Sequence, residues 1–371
     1  VDGIFESASD YHDVTIASGA TLQLTGDITV SGNWTNNGTF TAGTYGVTFD
    51  GSTAQSISGN NSFYNLTLSG NGVTTLQSDI GILNDLTVNS SSTLAIEATT
   101  FTVTGASDIN GTLTVSTGTF DANGVFDTSG GTVDFTGQGK LQCSGNVVSF
   151  GTLDNSSGTV EYDGGSQNVI ADNYYNLEID QSGTKTAQGS IYVAGTMTVQ
   201  GGSVYDITSW TTMVTGNTDI DGTIEISTGT FNVNGVSDID GDVNISSTGM
   251  YDADGTFDAR NANITFTSSG NLNLGSTVTS LGTFTKGTSK VTYDGTSPQN
   301  IYNANYYDLT INNSSGTNLI AGTSVNGNLD LSQGIINHNT HTLTLGNANN
   351  ASNSSHTYNG GLIKWFNNSN P

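Results

Sequence analysis

Acids recur in pairs ahead of a glycine in this chain. "TDIDGT", "SDIDGD" and "YDADGT" place Asp219 and Asp221, Asp238 and Asp240, and Asp252 and Asp254 two residues apart. Alternate carboxylates before a turning Gly are the arrangement that gathers hard oxygen ligands around calcium. The six aspartates are therefore candidate calcium ligands, and calcium is the one cofactor the residue types suggest. The complete loop with its distal Glu is missing from the sequence, as is the nonapeptide calcium-roll repeat. If Asp219 stacks on Asp238, and Asp221 on Asp240, like charges lie about 5 Å apart, a cost relieved by screening or a bridging cation. The competing explanation has these side chains capping their own turns and splaying into water.

Aromatic pairs offer a second chemistry. Phe63-Tyr64, Tyr174-Tyr175 and Tyr306-Tyr307 open the recurrent strand "YNLTI". Alternation sends one ring of each pair to the core and the other outward, so Tyr64, Tyr175 and Tyr307 are candidate surface-binding residues for sugars or a neighbouring molecule. Thr-x-Thr triplets such as Thr112-Leu113-Thr114 and Thr196-Met197-Thr198 direct both hydroxyls outward, but they do not recur at every coil. A flat hydroxyl array of the ice-binding kind would therefore be broken. Catalysis finds less. Glycoside hydrolysis needs two carboxylates across a cleft, whereas these acids recur with the repeat, as turn residues do. The chain is read as a non-enzyme.

These side chains must be positioned by repeats. "STGTFDANGVF" (116–126) returns as "STGTFNVNGVS" (227–237) and "STGMYDADGTF" (247–257). A longer signature recurs as "VTFDGSTAQSISGNNSFYNLTL" (47–68), "VEYDGGSQNVIADNYYNLEI" (160–179) and "VTYDGTSPQNIYNANYYDLTI" (291–311). It aligns Asp50, Asp163 and Asp294, then Gln55, Gln167 and Gln299. The large repeats therefore span 111–131 residues. A shorter period is nested inside: Asp238 follows Asp219 by 19 residues, and from Gly255 onward the register returns. One coil of about 20 residues has been added cleanly to the second block.

A unit duplicated without disturbing its surroundings is a coil of a solenoid. Each coil reads as two or three short strands of alternating Val, Ile, Leu, Phe and Tyr, separated by Gly, Asn, Asp and Ser turns. The expected fold is all-β, a right-handed parallel β-helix (β-solenoid); the hand follows the crossover rule. Roughly 18 coils at about 4.8 Å each would make a rod on the order of 85 Å. The expected divisions are N-terminal coils at 1–45, repeat 1 at 46–157, repeat 2 with its extra coil at 158–287, a partial repeat 3 at 288–332, and a terminal coil, cap or junction at 333–371. The last of these holds three of the four His, with Trp365 and Phe366 needing cover. Both termini suggest a processed or truncated part of something longer.

Composition narrows the partners. Net charge is −26, with Lys140, Lys185, Arg260, Lys286, Lys290 and Lys364 the only basic side chains. Nucleic-acid binding needs basic stripes, and anionic membranes attract polybasic segments, so neither partner is expected. No apolar run long enough for membrane insertion occurs. Cys143 is the single cysteine, in "KLQCSGNV", at an inward strand position that suits an inert buried thiol.

The line "GNWTNNGTFTAGTYGVTFDGSTAQSISGNNSFYNLTL" (32–68) resembles repeats in large secreted surface proteins of Bacteroidota and other Gram-negative bacteria. Residues 158–179 and 288–311 carry the same resemblance, and "HTLTLGNA…GGLIKWF" (341–366) is similar to lines that close such arrays. The resemblance implies a secreted, cell-surface, adhesin-like β-solenoid and no catalytic residue. The expected function is a structural stalk or filament subunit that associates with itself end to end. An adhesin or carbohydrate-binding module is the alternative, and a polysaccharide-processing enzyme comes third.

Overall fold

Short strands with one apolar edge cannot stand alone, and this chain solves the problem by winding. A computed structural model describes the backbone of residues 3–5, 9–345, 351–353 and 362–365, and the side chains of 10–345. Among the described residues every regular element is a strand, and there is no helix. Paired strands run parallel. Their partners lie 19 residues apart at Asp219 and Asp238, 20 at Leu66 and Leu86, and 21 at Leu86 and Ser107. One ladder step is one coil, so the fold is a β-solenoid.

The chain packs as two compact units, Val1–Glu178 and Ile179–Pro371. In the first, one ladder runs from Ser9–Tyr11 through Gly46–Phe49 to Val147–Ser149. A second runs from Val14–Ile16 through Thr93–Ile96 to Thr152–Leu153, and a third from Asn61–Phe63 through Thr119–Ala122 to Thr159–Tyr162. In the second unit, one ladder runs from Gly183–Ala187 to Thr283–Thr285, and another from Ile191–Val193 through Met250–Ala253 to Ala351–Asn353. A third includes Met197–Val199, Thr218–Ile220 and Val278–Ser280. Past Tyr293 two further ladders begin, at Gln299–Ile301 and Asn305–Tyr306.

Alternation decides what is buried. In the third ladder of the first unit the inward column reads Phe63, Ile82, Val103, Ala122, Cys143 and Tyr162, nearly all fully enclosed. Cys143 is thus buried as expected, and burial pushes its thiol well above its ordinary value. Rings also chain between coils: Phe101, Phe120, Phe126, Phe150 and Tyr174 follow one another at 5.4, 5.7, 5.8 and 6.0 Å between centroids. Such tilted and edge-to-face contacts add to the area they bury. The duplicated coil stacks in register, Asp219 on Asp238, Ile224 on Val243 and Phe231 on Tyr251.

Corners explain the glycine load. A Cβ on Gly145 would lie 1.9 Å from the Gly124 carbonyl oxygen, and one on Gly124 would lie 2.0 Å from that of Gly105. Where coils stack this closely at a turn, a side chain has no room. The side chains of Trp365 and Phe366, expected to need cover, lie outside the described residues.

Candidate functional site

The residues repeated most faithfully hold the coils closed. Gln55 accepts the Gly51 N–H at 3.1 Å and donates to the carbonyls of Val30 and Gly32 at 3.1 and 2.7 Å. Gln167 accepts from Gly164 at 2.8 Å and donates to the carbonyls of Cys143, Ser144 and Gly145. Gln299 accepts from Gly295 at 2.8 Å and donates to the carbonyls of Leu274 and Ser276 at 2.8 and 2.7 Å. Each amide joins its own Asp-Gly turn to the corresponding turn one coil earlier. A buried turn would otherwise leave those backbone groups unpaired.

The aromatic pairs follow the same plan. In the second copy Tyr162 and Tyr174 meet hydroxyl to hydroxyl at 3.1 Å. The Ile170 N–H donates to Tyr162, and Tyr174 donates to the Ile170 carbonyl at 2.7 Å. The third copy repeats this with Tyr293 and Tyr306 at 3.0 Å, closed on the N–H and carbonyl of Tyr302. Burial pushes these phenols up, Tyr293 to about 12. In the first copy Phe49 and Phe63 replace the pair and Trp34 packs against both, its indole N–H donating to Asn61 at 2.7 Å.

The outer tyrosines behave as alternation requires. Phe63, Tyr174 and Tyr306 are fully buried, while Tyr64, Tyr175 and Tyr307 stay half-buried at the surface. They form no column: the strands that lead into them, Asn61–Phe63, Asn173–Tyr174 and Asn305–Tyr306, belong to three different ladders. Tyr307 lies over the backbone of Gly327, where a Cβ would come within 2.9 Å of its ring. Of the Thr-x-Thr strands, Thr112–Val115 sets Thr114 between Ala95 and Asp134, while its Thr112 stacks between Thr93 and Thr132. A ladder that sequence reasoning missed is Thr29, Thr48, Thr67 and Thr87, stacked across four coils. Its signal was a 19- or 20-residue spacing, not a triplet.

The six aspartates fall into two places. Asp219 stacks in register on Asp238, and Asp238 on Asp258. Burial, then the charges of Asp221, Asp238 and Asp240, raise the Asp219 carboxyl above its ordinary value. That column ends in an ion pair between Asp258 and Arg260, which lowers the Asp258 carboxyl. Asp252 and Asp254 belong to a different ladder, where Asn232 donates to Asp252 at 3.1 Å. Asn261 donates to Asp240 at 2.9 Å.

Many other turn acids bind backbone, some in the neighbouring coil and some in their own turn. Asp27 accepts the N–H of Gly46, Asp79 that of Thr100, Asp85 that of Ala106 and Asp308 that of Asn328, at 2.6–2.8 Å. These carboxylates therefore staple one coil to the next. Asp127 and Asp154 instead cap their own turns.

One ionic cluster stands apart in the first unit. Lys140 donates to Glu161 at 2.6 Å and to Glu178 at 2.8 Å, and Gln142 adds a bond to Glu161 at 3.1 Å. Burial raises the Glu161 carboxyl, with Lys140 pulling the other way. The Lys140 ammonium, despite its own burial, is raised by the two carboxylates it bridges. One cation shared by two acids leaves the more buried acid the less compensated. The arrangement can hold coils together.

No protein family, curated protein or solved structure matches this chain.

Proposed function

We propose that the chain is a scaffold: the β-solenoid stalk or filament subunit of a secreted, cell-surface protein, working mechanically and not as an enzyme. One observation carries this reading. The glutamine repeated in all three copies, Gln55, Gln167 and Gln299, bonds to neighbouring backbone, and the Tyr162–Tyr174 and Tyr293–Tyr306 pairs of the second and third copies bond to backbone and to one another. Repeats preserved for their closure of coils suit a part whose task is length and stiffness. The −26 charge keeps such a surface soluble and self-repelling. A second copy is the partner in this reading, through end-to-end association.

A glycan-binding, adhesin-like module is the second reading, favoured by the half-buried Tyr64, Tyr175 and Tyr307 rings. Electron microscopy of the purified chain separates the two. Fibres whose repeat matches one molecule are the expected result. Particles that remain single at every concentration would overturn the filament reading, and retention on glycan columns would then favour the module.

A further inference from the structure

The third copy of the signature differs from the first where the next coil covers it. In the first copy Gly70 and Gly72 sit flush on the turn: a Cβ on either would lie 2.0 Å from the carbonyl oxygen of Gly51 or Thr53. The residues at the same offsets past Tyr307 are Asn313 and Ser315. Their side chains reach across instead, Asn313 donating to the Ser297 carbonyl and Ser315 to that of Thr296, both at 2.8 Å. Beside this turn the second unit has a cavity of about 310 Å³. Asp254, Thr277, Thr296 and Asn300 supply polar groups to it, and Val278 and Ile320 supply apolar ones. Ile320 is 48% exposed, among the most exposed large apolar side chains of the described residues.

We infer that this cavity binds a single neutral pyranose residue. Its volume sits at the low end of the range of about 300–1,000 Å³ typical of small-ligand sites, room for one sugar ring. A pyranose has an apolar C–H face and a rim of hydroxyls, and the lining offers both complements. Ile320 and Val278 cover the face. Asp254 accepts from adjacent hydroxyls, while Asn300 both donates and accepts. No basic side chain lines the cavity, so an anionic sugar would meet Asp254 uncompensated. The site lies on one lateral surface of one copy, so it neither needs nor follows from filament formation.

Saturation-transfer NMR on the whole chain tests this, with the methyl glycosides of glucose, galactose and mannose as probes. Glucuronic acid and a matching neutral trisaccharide are the controls. At least one neutral glycoside should bind, and Asp254→Ala and Asn300→Ala should each weaken it by about tenfold. Both residues are exposed, so unfolding midpoints should stay unchanged. Thr277→Trp, which fills the cavity, should abolish transfer. The inference is overturned if none of the three glycosides binds, if binding survives all three variants, or if glucuronic acid binds equally well. A trisaccharide more than about tenfold tighter than its glycoside would overturn the single-residue assignment.

Discussion

Gln299 shows how much one amide can hold. Its oxygen accepts from Gly295 and from Asn313, and its nitrogen donates to two carbonyls of the previous coil. Gln299→Glu keeps the acceptor, removes the donor and buries a charge. We expect a loss of about 2–3 kcal/mol at neutral pH, partly recovered in acid when the carboxyl gains a proton to donate. Urea unfolding measures the loss, and faster hydrogen exchange at the Gly295 amide would locate it. The same change at exposed Gln77 should stay within about 0.5 kcal/mol. The tyrosine pair makes a second case. Tyr293→Phe strips the acceptor from the Tyr302 N–H and the partner from Tyr306, at about 1–2 kcal/mol. Tyr293→Phe with Tyr306→Phe should cost less than the sum of the two, because the first copy already packs Phe49 and Phe63 in those places. Strict additivity in that cycle would mean the hydroxyls do not act together.

At the scale of the element, the coil is the unit that evolution and engineering can both move. Thr218–Ile220 pairs with Ser237–Ile239 residue for residue, so deleting 219–237 joins two equivalent positions. The shortened chain should keep its β-sheet circular dichroism and a cooperative melt. Removing ten residues instead would leave half a coil, set turns against strands in the next coil and should abolish folding. That duplication was visible in "TDIDGT" and "SDIDGD", as were the strand alternation, the inward Cys143 and the inner and outer rings of each aromatic pair. Periodicity exposes such features because it depends only on side-chain type at fixed spacing. The glutamine clamps were visible as aligned letters but not as bonds, since Gln167 bonds to backbone carbonyls of Cys143, Ser144 and Gly145, which any residue provides. The self-capping alternative concerned only the six paired aspartates. Asp27, Asp79 and Asp85 reach the next coil, a partner about 20 residues away that no local pattern names. The exchange of Phe49 and Phe63 for two tyrosine pairs was also present in the letters, and only the hydroxyl contacts explain it.

For the whole molecule, charge sets the conditions of stability. The raised carboxyls of Glu161, Asp172, Asp219, Asp252 and Asp294 share one leading cause, burial, and four of the five also face neighbouring like charges. A carboxyl whose folded value exceeds its unfolded value binds protons more readily when folded. Its contribution to stability is present at low pH and lost as pH rises through the folded value. Stability should therefore increase as pH falls from 7 toward about 5, with Asp258, lowered by Arg260, the opposing case. Salt should act in the same direction, since a Debye length of about 10 Å at 0.1 M screens acids stacked coil on coil. Calcium decides between the two interpretations of Asp219, Asp221, Asp238, Asp240, Asp252 and Asp254. If they are solvated faces and turn acids, calcium should raise the melting temperature no more than sodium or magnesium chloride at equal ionic strength. A larger rise with calcium, removed by chelation and by Asp219→Asn with Asp238→Asn, would make that column a ligand set. The split of the six aspartates between two ladders, with Asn261 bonded to Asp240 and Asn232 to Asp252, leads us to expect screening alone.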